Sequence, residues 1–284
     1  MHLQFSLWLV RQRDTFLGRL AYADMMPALV MAGGAGLLLW LVAALRKTAR
    51  PRLTVAFWLL WLAAVALVDR YLTYSINEYA HYPQYAVLAW LVARAMDPQR
   101  RFWYVGRVLF WTTLLGMGDE LLQYLWITTS YSEYLDFNDF LTNLVAAAAG
   151  TLLYYGTAPS LRHAQRPKPV VESGVAVALA LVVAVGLLSG RIVQTPAQKI
   201  PPGGIVVKAD GNRQLFLQRG PDFYGAWQSS QRQQRYYVLP PLPGLLIILT
   251  LGFSFAGCGR ILRGPGKQPV PDPNGVEQTL GCVV

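Results

Sequence analysis

Long apolar runs recur along this chain, and no other feature restricts its fold so strongly. Inside a bilayer no water satisfies backbone N–H and C=O groups, so a spanning segment must bond to itself as a helix or close into a barrel. Reading for stretches of ~20 apolar residues gives Met25 to Leu45, Thr54 to Val68, Tyr82 to Met96, Trp103 to Ile127, Phe140 to Tyr155, Ser173 to Leu188 and Leu242 to Ile261. The sequence therefore predicts an all-α, polytopic transmembrane helical bundle of about seven spans. The third and fifth runs are short, so six is the alternative. With 54% hydrophobic and 14% charged residues, nine Trp and fifteen Tyr, the composition is that of a membrane protein rich in interfacial aromatics.

Cytoplasmic loops carry an excess of Lys and Arg, which orients the chain. Arg46, Lys47, Arg50 and Arg52 follow the first run, Arg94, Arg100, Arg101 and Arg107 surround the third connection, and Arg162, Arg166 and Lys168 follow the fifth. Arg260, Arg263 and Lys267 follow the last. Those ends are expected in the cytoplasm. Asp69, Glu78, Glu133, Asp136 and Asp139 are then expected outside, with the N-terminus, while the C-terminus is cytoplasmic. The net charge of +10 is read as a topology signal, and no nucleic-acid partner is expected, because no soluble basic face accompanies it.

Residues 1–24 mix Leu3, Phe5, Trp8 and Val10 with Arg11, Arg13 and Arg19, as an amphipathic helix lying in the headgroup plane does. Between the last two runs, Ile205 to Val207 and Leu215 to Leu217 flank Asp210-Gly211-Asn212, a pattern that reads as a β-hairpin. Residues 190–241 thus form either a small extracytoplasmic β-hairpin insertion or an irregular loop on the membrane surface. The tail beyond Arg263 carries Pro265, Pro269, Pro271 and Pro273 and is expected to be extended. Cys258 lies in the last run and Cys282 in the tail, so no structural disulfide is expected.

Three polar patches interrupt the apolar background: Asn77 to His81, Asp119 to Gln123, and Asp139 to Asn143. An ionisable group near hydrocarbon costs a few kcal/mol or more and usually faces a bundle interior or wet cavity, so the patches are expected to converge on one site. Asp119, Glu120 and Gln123 fall within one helical sector. Paired carboxylates in such a place make a general acid or a proton carrier. The structural alternative is that Glu120 fixes helix packing through a backbone group or a Tyr.

Glu78 and His81 stand one helical turn apart, although Pro83 places the true helix start near Tyr82 and leaves the pair on a separate turn. Glu-x-x-His is half of a di-metal carboxylate signature, but that site needs the pair twice. His2 is terminal and His163 falls on the cytoplasmic side, so His81 is the sole imidazole near the acids. A multi-histidine zinc site is thereby disfavoured. A single hard ion on Glu78, Asp119 and Asp139 is compatible with the residues, but the expectation adopted is a site with no metal and no cofactor. For His81 the choice is proton transfer or a structural hydrogen bond to Glu78 or Asp119.

Asp136 is placed to cap the fifth helix and Asp139 to sit in its first turn, where both satisfy free N–H groups and oppose the dipole. Asn143, one turn further in, is a buried amide that must find partners. Ala146 to Ala149 and Gly150 then present a small-residue surface for close helix approach.

In order and spacing these motifs resemble the VanZ-like membrane protein family. They run Glu78-x-x-His81-x-x-x-Tyr85-x-x-Leu88, then Gly116-x-x-Asp119-Glu120-x-x-Gln123, then Asp139-x-x-x-Asn143 ahead of Gly150. The resemblance implies an all-helical bundle over 54–157, in a family named for an accessory protein of teicoplanin resistance. The remaining segments are 25–53, a first transmembrane helix and basic loop; 158–189 and 242–262, the sixth and seventh transmembrane helices; and 263–284, the tail.

The function expected is binding or processing of an amphipathic, lipid-linked envelope substrate in the bacterial inner membrane. Glu78, His81, Asp119 and Glu120 are the candidate catalytic residues, and Tyr85, Gln123, Asp139 and Asn143 the candidate substrate-binding residues. The alternative is a non-enzymatic accessory subunit, with membrane proteins as partners through the Gly-rich first helix (Gly33, Gly34, Gly36), the 190–241 loop or the tail. Membrane lipids are expected partners in both cases.

Overall fold

A computed structural model describes residues 36, 38–46, 48, 50–100, 104–130, 132–158, 168–208 and 210–263. The expected interfacial helix over 1–24, most of the first span and the tail after Arg263 lie outside the described residues, as do Gly33, Gly34 and Cys282. The α-helices used here are α1 (Pro51–Tyr71), α2 (His81–Met96), α3 (Val105–Leu122), α4 (Phe137–Tyr155), α5 (Val170–Leu188) and α6 (Pro241–Arg263). A further helical stretch covers 38–45.

Each helix begins where its sequence permits. Pro51 opens α1 at a position whose N–H has no helical partner in any case. Asp136 caps α4, its carboxylate accepting from the Asn138 N–H at 2.8 Å. Before α2 runs a separate 3₁₀ turn, Ile76–Ala80, closed by a capping box between Ser75 and Glu78. His81 is the first residue of α2, so Glu78 stands on the turn and His81 on the helix.

The bundle is organised around α4, which is buried along nearly its whole length. It packs on α1, α2, α3 and α6, most extensively on α2. The small-residue surface explains that contact. A Cβ on Gly150 would lie 2.1 Å from the Ala86 carbonyl oxygen, so only glycine lets the two backbones come this close. The Trp61 indole donates to the Val145 carbonyl at 2.8 Å and ties α1 to the same helix.

The expectation of seven spans is not met. Among the described residues three helices are long and apolar enough to cross a membrane, Pro51–Tyr71, Val170–Leu188 and Pro241–Gly259. The other runs fall short for separate reasons. With 16 residues, α2 reaches only ~24 Å. Arg107, Asp119 and Glu120 interrupt α3. Because α4 is wrapped by its neighbours, it carries polar residues that a lipid-facing helix of that length does not tolerate. The three apolar helices bury little of their surface in the protein and expose Leu59, Leu62, Leu181, Val182, Leu246 and Phe253. Exposed apolar area on that scale marks a membrane-associated chain.

The two ends of the bundle differ in what they carry. At one end Arg50 donates to the Ile261 carbonyl, the Thr54 hydroxyl to the Gly156 carbonyl, and the Tyr154 hydroxyl to the Asp97 carbonyl, with Arg100 stacked over Tyr154. At the other end are the three polar patches and residues 190–240.

That insertion is more structured than one hairpin. Strands β2 (Ile205–Val207) and β3 (Arg213–Phe216) pair antiparallel with Val206 opposite Gln214, and Gly211 adopts φ +80° in the connecting turn. The expected hairpin is present. Strand β1 (Ile192–Val193) adds in parallel on the far side of β3, and a second hairpin joins β4 (Trp227–Ser229) to β5 (Arg235–Tyr237). Backbone bonds from Leu135 N–H to the Leu217 carbonyl and from Arg219 N–H to the Glu133 carbonyl stitch it to the loop before α4.

Candidate functional site

The three patches meet at the end of the bundle that the insertion covers. His81 comes from the first turn of α2, Glu120 from the last turn of α3 and Asn143 from the second turn of α4, and all three are buried. The Asn143 side-chain amide donates to Glu120 Oε1 at 3.3 Å, and its Oδ1 lies 2.7 Å from His81 Nδ1. Since the amide nitrogen faces the carboxylate, Oδ1 is the acceptor toward the ring, and His81 carries its proton on Nδ1. His81 Nδ1 also stands 3.6 Å from Glu120 Oε1.

Asp119 belongs to a second set of bonds beside the first. Its Oδ2 accepts from the Tyr85 hydroxyl at 3.0 Å and from the Gln123 amide at 3.1 Å. The Tyr85 ring stacks on His81, 5.9 Å between centroids and 11° between planes, so the two sets share one wall. Behind them Gly116 leaves the space: a Cβ there would fall 3.0 Å from the Tyr85 ring and 3.3 Å from the Asn143 Cβ. A π turn, Gln123–Ile127, follows α3 directly, a local widening often found at functional sites.

Asp139 completes this buried polar cluster, the recess between the ends of α2, α3 and α4. Among the described residues His81, Glu120 and Asp139 each offer a ligand atom within 4.8 Å of the others. Asp139 Oδ1 is sealed from solvent and has no hydrogen-bond partner. Glu133 Oε2 and Glu172 Oε2 are in the same condition, and of the three Asp139 is the one that stands in this cluster.

Glu78 is placed differently from the other expected catalytic residues. Its carboxylate accepts from the backbone N–H of Tyr74 at 3.0 Å and of Ser75 at 2.9 Å, which makes it a cap on the turn before His81. Burial pushes its pKa up to about 8, and the Asp136 charge adds to the rise, against the lowering effect of those N–H groups. Burial likewise raises Asp136 to about 6, opposed by the N–H groups it caps. Glu78 thus sets the start of α2 and with it the position of His81.

Several residues that hold the recess in place were not singled out from sequence. Asn138 is buried; its amide donates to the Leu72 and Tyr237 carbonyls at 2.9 and 2.8 Å, and its Oδ1 accepts from the Leu239 N–H at 3.0 Å. One side chain thereby joins the end of α1, the start of α4 and the end of the insertion. Arg219 is also buried, donating to the Thr129 and Tyr124 carbonyls and stacked over the Tyr124 ring. Arg232 pairs with Asp69, which also accepts from the Tyr79 hydroxyl. Glu172, in the first turn of α5 just ahead of the apolar run from Ser173, pairs with Arg107 at 2.5 Å and ties α5 to α3.

No family model matches the chain, and no curated protein or solved structure is similar to it. The case for a function therefore rests on the recess itself.

Proposed function

We propose that the recess binds or processes an amphipathic, lipid-linked envelope substrate, in a chain of the VanZ-like kind placed in the bacterial inner membrane. The observation that carries this reading is the buried His81–Asn143–Glu120 chain on α2, α3 and α4, in a bundle whose other helices α1, α5 and α6 are bare and apolar. A substrate with a polar head and a hydrocarbon tail satisfies both surfaces at once. Glu120 and His81 are the acid and base, Asp119 supports them through Tyr85, and Gln123, Asp139 and Asn143 contact the head group. On this reading the recess lies at the outer leaflet, with the basic ends in the cytoplasm.

The test is mass spectrometry of lipids that co-purify with the protein in mild detergent, with Glu120→Gln and His81→Ala alongside. A polyprenyl- or lipid-linked species enriched on the unaltered chain and depleted at least tenfold on both variants is the expected result. Equal retention on all three proteins would remove the recess from the function.

A second reading, an accessory subunit of a membrane assembly, is favoured by one feature. Almost the whole surface of α5 lies bare, apart from the ties at Arg107–Glu172 and where β1 meets its end. A protein partner that survives purification at a fixed stoichiometry supports that reading, and a lone monomer counts against it.

A further inference from the structure

We infer that His81, Glu120 and Asp139 form a binding site for one divalent metal ion of the zinc, cobalt or manganese type. This deepens the reading above and rests on the same recess being the working site of the protein.

The donor set is mixed nitrogen and oxygen, contributed by three different helices, α2, α3 and α4. One imidazole with two carboxylates is a common ligand set for borderline divalent metals and leaves coordination positions for water or a substrate oxygen. Calcium and magnesium favour all-oxygen shells and fit the imidazole poorly. An ion about 2.1 Å from each of three donors holds them roughly 3.0–3.6 Å apart. The donors stand within 4.8 Å, so closure takes side-chain movements of about an ångström, as rotamer adjustment supplies.

Two independent observations point to a cation rather than to a self-sufficient hydrogen-bond cluster. Asp139 Oδ1 is sealed from solvent with no donor bonded to it. Among the described residues, the hydrogen bonds to Asp119 and Glu120 come from neutral donors, Tyr85, Gln123 and Asn143, and Asp139 adds a third carboxylate beside the one imidazole. Such a recess is short of positive charge. Asn143 acts as an outer support of the kind metal-bound histidines have: its Oδ1 lies 2.7 Å from His81 Nδ1 and fixes the orientation of the ring.

The role that follows is recognition of an oxyanion. A cation at the floor of the recess would attract the phosphate of a lipid-linked substrate without an arginine among its own side chains.

The test uses the full chain in detergent, stripped with a chelator and then titrated with Co²⁺ or Zn²⁺ alone. The expected result is uptake of about one ion per chain, with visible ligand-field bands for cobalt, at least tenfold weaker for Asp139→Asn and His81→Asn and unchanged for Glu133→Gln. Absence of uptake by the unaltered chain, or equal uptake by the site variants, overturns the inference. If the variants are not monodisperse, X-ray absorption at the zinc edge of the unaltered protein decides. A shell of nitrogen and oxygen donors including one imidazole supports the site, and a shell containing sulfur, as from Cys258, overturns it. Lipid retention measured on the same samples separates the two claims. Lipid bound without metal uptake leaves the substrate reading standing and removes the metal, while metal bound with no lipid does the reverse.

Discussion

The side-chain amide of Asn143 stands between His81 and Glu120, 2.7 Å from the imidazole Nδ1 and 3.3 Å from the carboxylate Oε1. It bonds both from the helix at the centre of the bundle. Replacing it by Leu, which has the same branched outline, removes an acceptor from the ring and a donor from the buried carboxylate. Loss of one partner of a buried polar pair costs about 1–3 kcal/mol per orphaned group, more when it is charged. Asn143→Leu should lower the unfolding midpoint in detergent by several degrees, and Asn143→Gln by less. An unchanged midpoint for the Leu variant would show that the amide bears no load.

Gly150 tests the packing of α2 on α4. A Cβ at that position meets the Ala86 carbonyl oxygen at 2.1 Å and the Ala89 Cβ at 2.9 Å, neither of which yields without moving backbone or helix. Gly150→Ala should destabilise by at least the ~1–3 kcal/mol of an overpacked core and displace His81 relative to Asn143. Gly118→Ala, on an open face of α3 with nothing within 4 Å, is the control and should be neutral or slightly stabilising. Equal midpoints for the two variants would contradict the close approach.

Glu78 and Asp136 make stability depend on pH with a definite sign. Both carboxyls bind their proton more tightly in the folded chain, at about 8 against an ordinary 4.5 and at about 6 against 3.8. A group raised in this way contributes most below its unfolded pKa, and its contribution is lost as pH climbs through the folded value. The unfolding midpoint should therefore fall between roughly pH 4 and pH 8, and Glu78→Gln should flatten the upper part of that fall. A midpoint that rises over this window, or a Gln variant with the original slope, would refute the assignment.

The contacts of Asn138 and Arg232 should differ sharply in weight. Asn138→Ala orphans two carbonyls and an N–H in a buried position and should cost about 2–4 kcal/mol. Arg232→Ala breaks a half-exposed pair with Asp69 and should cost about 0–1 kcal/mol. Limited proteolysis within 190–240 offers a second reading of the same difference, faster for the Asn138 variant and little changed for the Arg232 variant. The reverse order would mean that the insertion is anchored through its charges.

Much of the recess was legible in the residues because the cost of burying polar groups is local and readable. Asp119, Glu120 and Gln123 share a sector in any helix, and Asn143 one turn into an apolar run demands a partner wherever that run packs. The span count was not legible in the same way. An apolar run reports only that its surroundings are dry, and it reads alike whether lipid or protein surrounds it. Thus α4 reads as one of the crossings although its neighbours in the bundle enclose it. Arg232 and Asn138 went unremarked because their partners, Asp69, Leu72, Tyr237 and Leu239, are remote in sequence and lie in segments with no pattern of their own.

By itself the sequence determined that the chain is helical, that it is membrane-associated, and that its three polar patches interrupt the apolar runs. Hydrophobic burial and backbone satisfaction act residue by residue and leave that imprint on composition and spacing. The tertiary structure alone decided that Glu78 closes a turn while Asp139 enters the recess, and that Asn143 takes its place between His81 and Glu120. Those roles depend on helix approach distances of a few tenths of an ångström, set at Gly116 and Gly150, and no single segment contains that information.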